Sequence, residues 1–222
     1  MAQPAPDSPS RDLILDAAER LFAGQGFART TIKDIGRAAG VNSALLYYYF
    51  ADKDRLYREV LQRFVSRLVT RTMRAAGDDP EAAVRAFVAA QADTVAASPH
   101  APRLFARELI DHDAAHAVQQ VQLMAVTSFR RLCGLIEEGQ QAGLFRRDWD
   151  PRYAAISTIA QVAYFSLARP VVRVMLQERA AATPDRVLRE FACHAAEFAV
   201  AALAVAPARR SRRGRSAGAR PA

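Results

Sequence analysis

Gly40 limits what this chain can become more than any other residue. It lies between two short apolar-patterned stretches, Thr30–Ala39 and Val41–Phe50. A tight turn at that point needs a residue able to take a positive φ. Ile32 and Ile35 precede the turn at helical spacing, Val41 follows it directly, and Leu45 and Leu46 come one helical turn later. These side chains can pack two helices at a steep angle, and the small Gly36 and Ala39 fit the crossing point. The spacing predicts a second helix over Asn42–Tyr48 that is held outward. Such a helix can lie in the major groove of DNA.

Charge does not carry that reading. The net charge of the 222-residue chain is +8, but residues 207–222 alone hold six arginines and no acid, which leaves +2 for the rest. Residues 1–60 carry eight Lys/Arg and eight Asp/Glu, so the DNA-facing segment is net neutral. The basic tail is expected to be disordered, with non-specific DNA contact as one use and solubility as the other. Hydrophobic residues make up 51% of the chain, which excludes disorder for most of its length.

The remaining pattern is helical throughout, so the fold class expected is all-α. Residues 1–9 are Pro-rich and read as a disordered N-terminus, with Ser8 or Ser10 capping the first helix. That helix is expected to bury Leu13, Ile14, Ala17, Ala18, Leu21 and Phe22. Asp52 offers an N-cap for a long helix to about Ala76, and Gly77–Pro80 breaks the chain. Further helices are expected over Glu81–Ala97, Pro102–Ile110, Ala114–Ala142, Arg152–Ala168 and Asp185–Val205. The domain division expected is 10–56 for the helix-turn-helix unit, whose last helix from 53 links onward, and 57–206 for a helical body.

The segment Leu13–Val60 resembles the N-terminal domain of the TetR family of bacterial transcriptional repressors. The likeness rests on ILDAAERLFAGQGF (Ile14–Phe27), TTIKDIGRAAGV (Thr30–Val41), LLYYYF (Leu45–Phe50) and DKDRLYREVL (Asp52–Leu61). Beyond Val69 the resemblance is one of layout. Gly36 stands where the family usually has Ala, and Tyr49 where many relatives carry His. The resemblance implies a sequence-specific DNA-binding regulator, a repressor released from a palindromic operator by a small-molecule effector. A constitutive or architectural DNA-binding protein is the alternative.

Within the unit, Asn42, Ser43, Ala44 and Leu45 lie at the end of the recognition helix that meets base edges. Asn42 either contacts a base or caps its own helix, and Leu45 either touches a thymine methyl or joins the core. Tyr47 and Tyr48 have hydroxyls suited to phosphate oxygens, which is also the role the resemblance implies. Thr30 or Thr31 and Lys53 lie at helix N-termini that favour phosphate, and Lys33 adds charge.

The helices at Arg152–Ala168 and Asp185–Val205 are apolar over wide arcs and therefore need two buried sides each. One side is expected to face a second copy of the chain through Ile156, Ile159, Ala163, Leu188, Phe191, Ala195, Phe198 and Ala202. Family layout places an effector pocket in the helical body. Its candidates are Phe87, Gln91, Phe105, Glu108, Met124, Phe129, Tyr164 and Phe165, which suit an apolar or aromatic compound.

Glu108, His112 and His116 fall at i, i+4 and i+8, but Asp111–Ala114 reads as a helix junction that spoils this spacing. They are expected to be solvated, with no metal and no cofactor. Cys133 and Cys193 sit in apolar helical patterns and read as buried free thiols. The chain shows no Ser/His/Asp arrangement and no phosphate-binding Gly loop, so it is not expected to be an enzyme. With no signal-like start and no apolar run long enough to span a membrane, it is expected to be cytoplasmic.

Overall fold

A computed structural model describes residues 9–177 and 183–205. Residues 1–8, which include Ser8, and the Arg-rich segment 207–222 lie outside the described residues. Among those described the chain is helical, and its one β-type pairing is an isolated antiparallel bridge between Phe145 and Ala204.

The N-terminal unit is built from α1 (Pro9–Gln25), α2 (Ile32–Ala39), α3 (Ser43–Tyr49) and the start of α4 (Lys53–Arg74). Its core holds Ile14, Leu15, Ala17, Ala18 and Phe22 of α1, Ile35, Leu46 and Phe50, and Leu56, Tyr57, Val60 and Leu61 of α4. Leu15 takes the place expected of Leu13, which is exposed. This core extends along α4 to Leu61, and it also takes in Leu104 and Ala117 from further down the chain. Phe22 and Tyr57 meet edge to face at 4.9 Å, a geometry aromatic rings prefer.

The body comprises α5 (Pro80–Ala97), α6 (Ala101–His112), α7 (Val118–Met124), α8 (Arg130–Gln141), α9 (Pro151–Leu167), α10 (Arg169–Met175) and α11 (Pro184–Leu203). The helix expected from Ala114 begins only at Val118 and widens to a π-turn over Ala125–Phe129 before α8. Its delayed start has a backbone cause. Asp113 and Ala114 take left-handed φ of 48° and 61°, which ends α6 and turns the chain back on itself. In the π-turn, Ser128 bonds the α4 residue Thr72 at 2.7 Å, both buried.

α11 packs along α5 and against α9. Phe145 is fully buried against Gly139, where an added Cβ would stand 2.0 Å from the ring. On either side of the bridge, Arg146 N–H donates to Leu203 O at 2.8 Å and Val205 N–H to Leu144 O at 3.1 Å. Cys133 is buried as expected, and burial pushes its thiol pKa up. Cys193 is exposed instead, on the polar side of α11.

Candidate nucleic-acid interface

Local bonds fix the two-helix hairpin. Thr31 caps α2: its hydroxyl accepts from Asp34 N at 3.1 Å, while Asp34 accepts from Thr31 N at 3.3 Å and from the Thr31 hydroxyl at 2.6 Å. This is a reciprocal capping box with Asp in the acidic position. The Thr31 bonds chiefly, with a lesser contribution from Arg37, hold the Asp34 carboxyl below its ordinary pKa. Gly40 closes α2 at φ 69°, and Val41 N–H reaches back to Gly36 O at 2.9 Å. A Cβ on Gly36 would lie 2.9 Å from Val41 O and 3.2 Å from Leu46, so the crossing fits glycine more closely than alanine. Asn42 then caps α3, accepting from Leu45 N at 2.8 Å.

Leu46 points into the core, which turns the other face of α3 outward. Ala44, Tyr47 and Tyr48 are exposed there, and Ser43 and Leu45 are half-buried beside them. Asn42 is exposed, but its Oδ1 serves the cap. Thr31 and Lys33 are exposed at the start of α2. Thr30 is not: it is fully buried, and its hydroxyl donates to Gly26 O at 2.7 Å, so it braces the preceding turn. Lys53 leans over the Phe27 ring at 4.2 Å and donates to Phe27 O at 3.1 Å, which ties the start of α4 to the α1–α2 loop. Arg29, which the sequence reading passed over, is exposed beside Thr31. Its position one residue before the two threonines was the available signal.

The body distributes the other predicted residues unevenly. Ile156, Ala163 and Phe198 are exposed, and with Tyr153, Tyr164 and Leu167 they leave α9 and α11 rich in outward apolar side chains. Ile159, Phe191 and Ala202 are half-buried. Leu188 and Ala195 belong to the protomer's own core, because that side of α11 is occupied by α5.

Of the pocket candidates, Phe87, Gln91, Glu108 and Phe165 are buried, Phe105, Met124 and Phe129 half-buried, and Tyr164 is 63% exposed. They do not form one cluster. Phe87 and Phe129 share a core with α8, Phe165 stacks on Phe191 at 4.0 Å, and Phe105 meets Phe64. Gln91 donates to Ile159 O at 3.1 Å, and its Oε1 is buried without a hydrogen-bond partner. Glu108 faces the N-terminal unit, and burial first and the Glu108 carboxylate second push the Tyr57 phenol pKa up.

A braced two-helix reading head on a larger helical body defines a one-component DNA-binding regulator. Comparison with known proteins agrees. Residues 14–60 match the family described as bacterial regulatory proteins, tetR family, and residues 80–194 match the tetracyclin repressor-like C-terminal domain. The chain is 34% identical over 150 residues to the transcriptional repressor KstR2 of Rhodococcus jostii, covering 66% of this chain and 73% of that protein. It is 33% identical over 160 residues to the transcriptional repressor NicS of Pseudomonas putida, covering 70% and 74%. Among solved structures, a tetR-family regulatory protein from Rhodococcus RHA1 superposes with a TM-score of 0.69 at 18% identity, covering 90% of this chain and all of that one. The chain belongs to the TetR family of transcriptional regulators. No single helix among the described residues is long and apolar enough to cross a membrane.

Proposed function

We propose that the protein is a homodimeric repressor that binds a palindromic operator in the cytoplasm and leaves it when a small molecule enters the body. The observation that carries the DNA half is the outward face of α3. Ala44, Tyr47 and Tyr48 are solvent-facing on a helix whose packing and cap are already satisfied on the other side. Ser43, Ala44, Leu45 and the free amide end of Asn42 read base edges. Thr31, Lys33, Tyr47, Tyr48 and Lys53 hold phosphates and set the register. Thr30 acts at one remove, by fixing the loop before α2.

The exposed apolar residues of α9 and α11 support pairing of two copies, since such a surface is costly to leave in water. Pairing puts two α3 helices on one face, as a two-fold operator requires. The effector site we propose lies between α5, α8 and α9, where Phe87 and Phe129 offer apolar contact and the buried Gln91 Oε1 lacks a hydrogen-bond partner. Binding there shifts the spacing of the two heads through α4, by favouring one of two states. The two relatives named as repressors support the sign of regulation.

Selection of genomic fragments by the purified protein, followed by footprinting, tests the reading. A short palindromic footprint is expected. Tyr48→Phe should weaken all sequences alike, whereas changes at Ser43 or Ala44 should alter the preferred sequence at a cost of about 1–3 kcal/mol for the original site. Diffuse binding, or equal losses on all DNAs for both kinds of variant, would overturn it.

A further inference from the structure

The sharpest departure from the sequence reading lies at the junction of the two units. Glu108 is completely buried, and the left-handed pair Asp113–Ala114 folds the chain back so that His116 returns to it. The backbone N–H of His116 donates to Glu108 Oε1 at 2.7 Å, and its Nδ1 lies 3.3 and 3.2 Å from the two carboxylate oxygens. The His112 ring stands edge-on to His116 with centroids 4.8 Å apart. One ligand atom from each of Glu108, His112 and His116 falls within 4.8 Å of the others.

We propose that Glu108, His112 and His116 bind a divalent transition metal, with zinc the best match, and that the bound ion fixes the turn that follows α6 where it faces the N-terminal unit. Two imidazoles and one carboxylate are a donor set that zinc takes in three-ligand sites, with a fourth position left for water. Two ligands on one tetrahedral zinc stand ~3.3 Å apart at bond lengths of about 2.0–2.2 Å. The 3.2 Å between His116 Nδ1 and Glu108 Oε2 already matches that spacing, and His112 offers the third donor within 4.8 Å of both.

The outer groups fit as well. With Nδ1 on the metal, His116 Nε2–H faces Asp54 Oδ1 at 3.6 Å, in the carboxylate–histidine arrangement that orients metal-bound imidazoles. Phe27 and Tyr57 wall the site, with ring centroids 5.3 Å from that of His116. Access runs through a cleft of about 630 Å³ that His112 lines with Phe27, Arg107 and Asp111. Three charged residues line that cleft: Arg29, Arg107 and Asp111. Arg107 is engaged with Ala23 O and Gly24 O at 3.1 Å each, and it lies 3.7 Å from Asp111.

The ligands belong to α6 and the α6–α7 turn, whereas Phe27, Asp54 and Tyr57 belong to the N-terminal unit. An ion here fixes the α6–α7 turn and reaches the N-terminal unit through the outer contact of His116 with Asp54. On the regulatory reading above, the orientation of the reading head relative to α6 is what an effector must change, and the metal acts on it through the stiffened turn and its contact with Asp54. The site itself does not depend on that reading.

The test is a zinc titration of the chelator-stripped full-length protein against a chromophoric competitor. One equivalent per chain is expected. His112→Ala removes a half-buried ligand without opening the core, and should weaken binding by more than the ~10–100-fold expected for the outer-shell change Asp54→Asn. Zinc should raise the thermal midpoint of the wild type and not of His112→Ala. Cobalt in the same site should show visible bands without a thiolate charge-transfer band, which separates it from Cys133 and Cys193. Absence of a stoichiometric site, unchanged affinity in His112→Ala, or a thiolate band would overturn the proposal. Because no DNA is present, its failure is distinct from failure of the repressor reading.

Discussion

Thr31, Gly40, Asn42 and Asp52 shape the N-terminal unit through bonds to residues within four positions of themselves. The body has counterparts of such caps in Asp79 and Asp150, yet its layers are held by contacts between distant residues. Phe145 lies under α8 and beside the end of α11, and Arg85 on α5 reaches Glu197 on α11 at 2.7 Å. The difference teaches where each unit is vulnerable. The reading head should respond to changes in backbone conformation and capping. The body should respond to changes in volume at its buried contacts and only weakly to its surface ion pairs.

Phe145→Ala sets the upper end of that comparison. The ring is fully buried and touches Gly139 so closely that no Cβ fits between them. Its removal leaves a cavity and should cost about 3–5 kcal/mol in urea unfolding, the range for a buried aromatic. A loss near 1 kcal/mol would show that the loop is not locked into the core, and the contrast between the units would fade.

Gly40→Ala asks the opposite question. Nothing lies within 4 Å of a Cβ built there, so packing is not the obstacle; the φ of 69° is. The substitution should cost about 1–2 kcal/mol through the left-handed backbone alone. Gly40→Asn should cost less, because Asn tolerates that region better. Equal costs for Ala and Asn would mean that φ is not what glycine supplies at this turn.

This contrast also explains what the sequence made legible. The hairpin, the Asp52 cap and the start of α5 could be read because their signals are local and carried by residue types with few other uses, whereas Asn42 left its cap and a base contact equally open. Periodicity was less exact: it found the apolar arc of α1 but assigned Leu13 inward where Leu15 points. It also placed Cys193 inside, because α11 is apolar over a wide arc and sequence does not say which part of that arc α5 covers. The Glu108–His112–His116 group was noticed by its spacing but set aside as solvated, because the junction expected at Asp111–Ala114 was taken to part the three residues. The junction is there, but Asp113 and Ala114 take left-handed conformations that fold the chain back, and with no glycine to mark them the direction of the turn has no local signature.

The smallest expected effect is electrostatic and lies in the capping box. Asp34 is exposed and its carboxyl is held below the ordinary value of 3.8, by the Thr31 side-chain bond first and the Thr31 backbone bond second. A depressed folded pKa means that the folded state favours the carboxylate more than the unfolded chain does. The stabilisation is therefore complete above the ordinary value and is lost as pH falls through the lower folded one. Asp34→Asn keeps the shape and removes the charge. The variant should unfold at slightly lower urea than the wild type at neutral pH, and the gap should close as the solution is acidified below the ordinary carboxylate range. A gap that persists under strongly acid conditions would mean that the box depends on side-chain shape rather than charge. The reading head would then resemble the body more than its caps suggest.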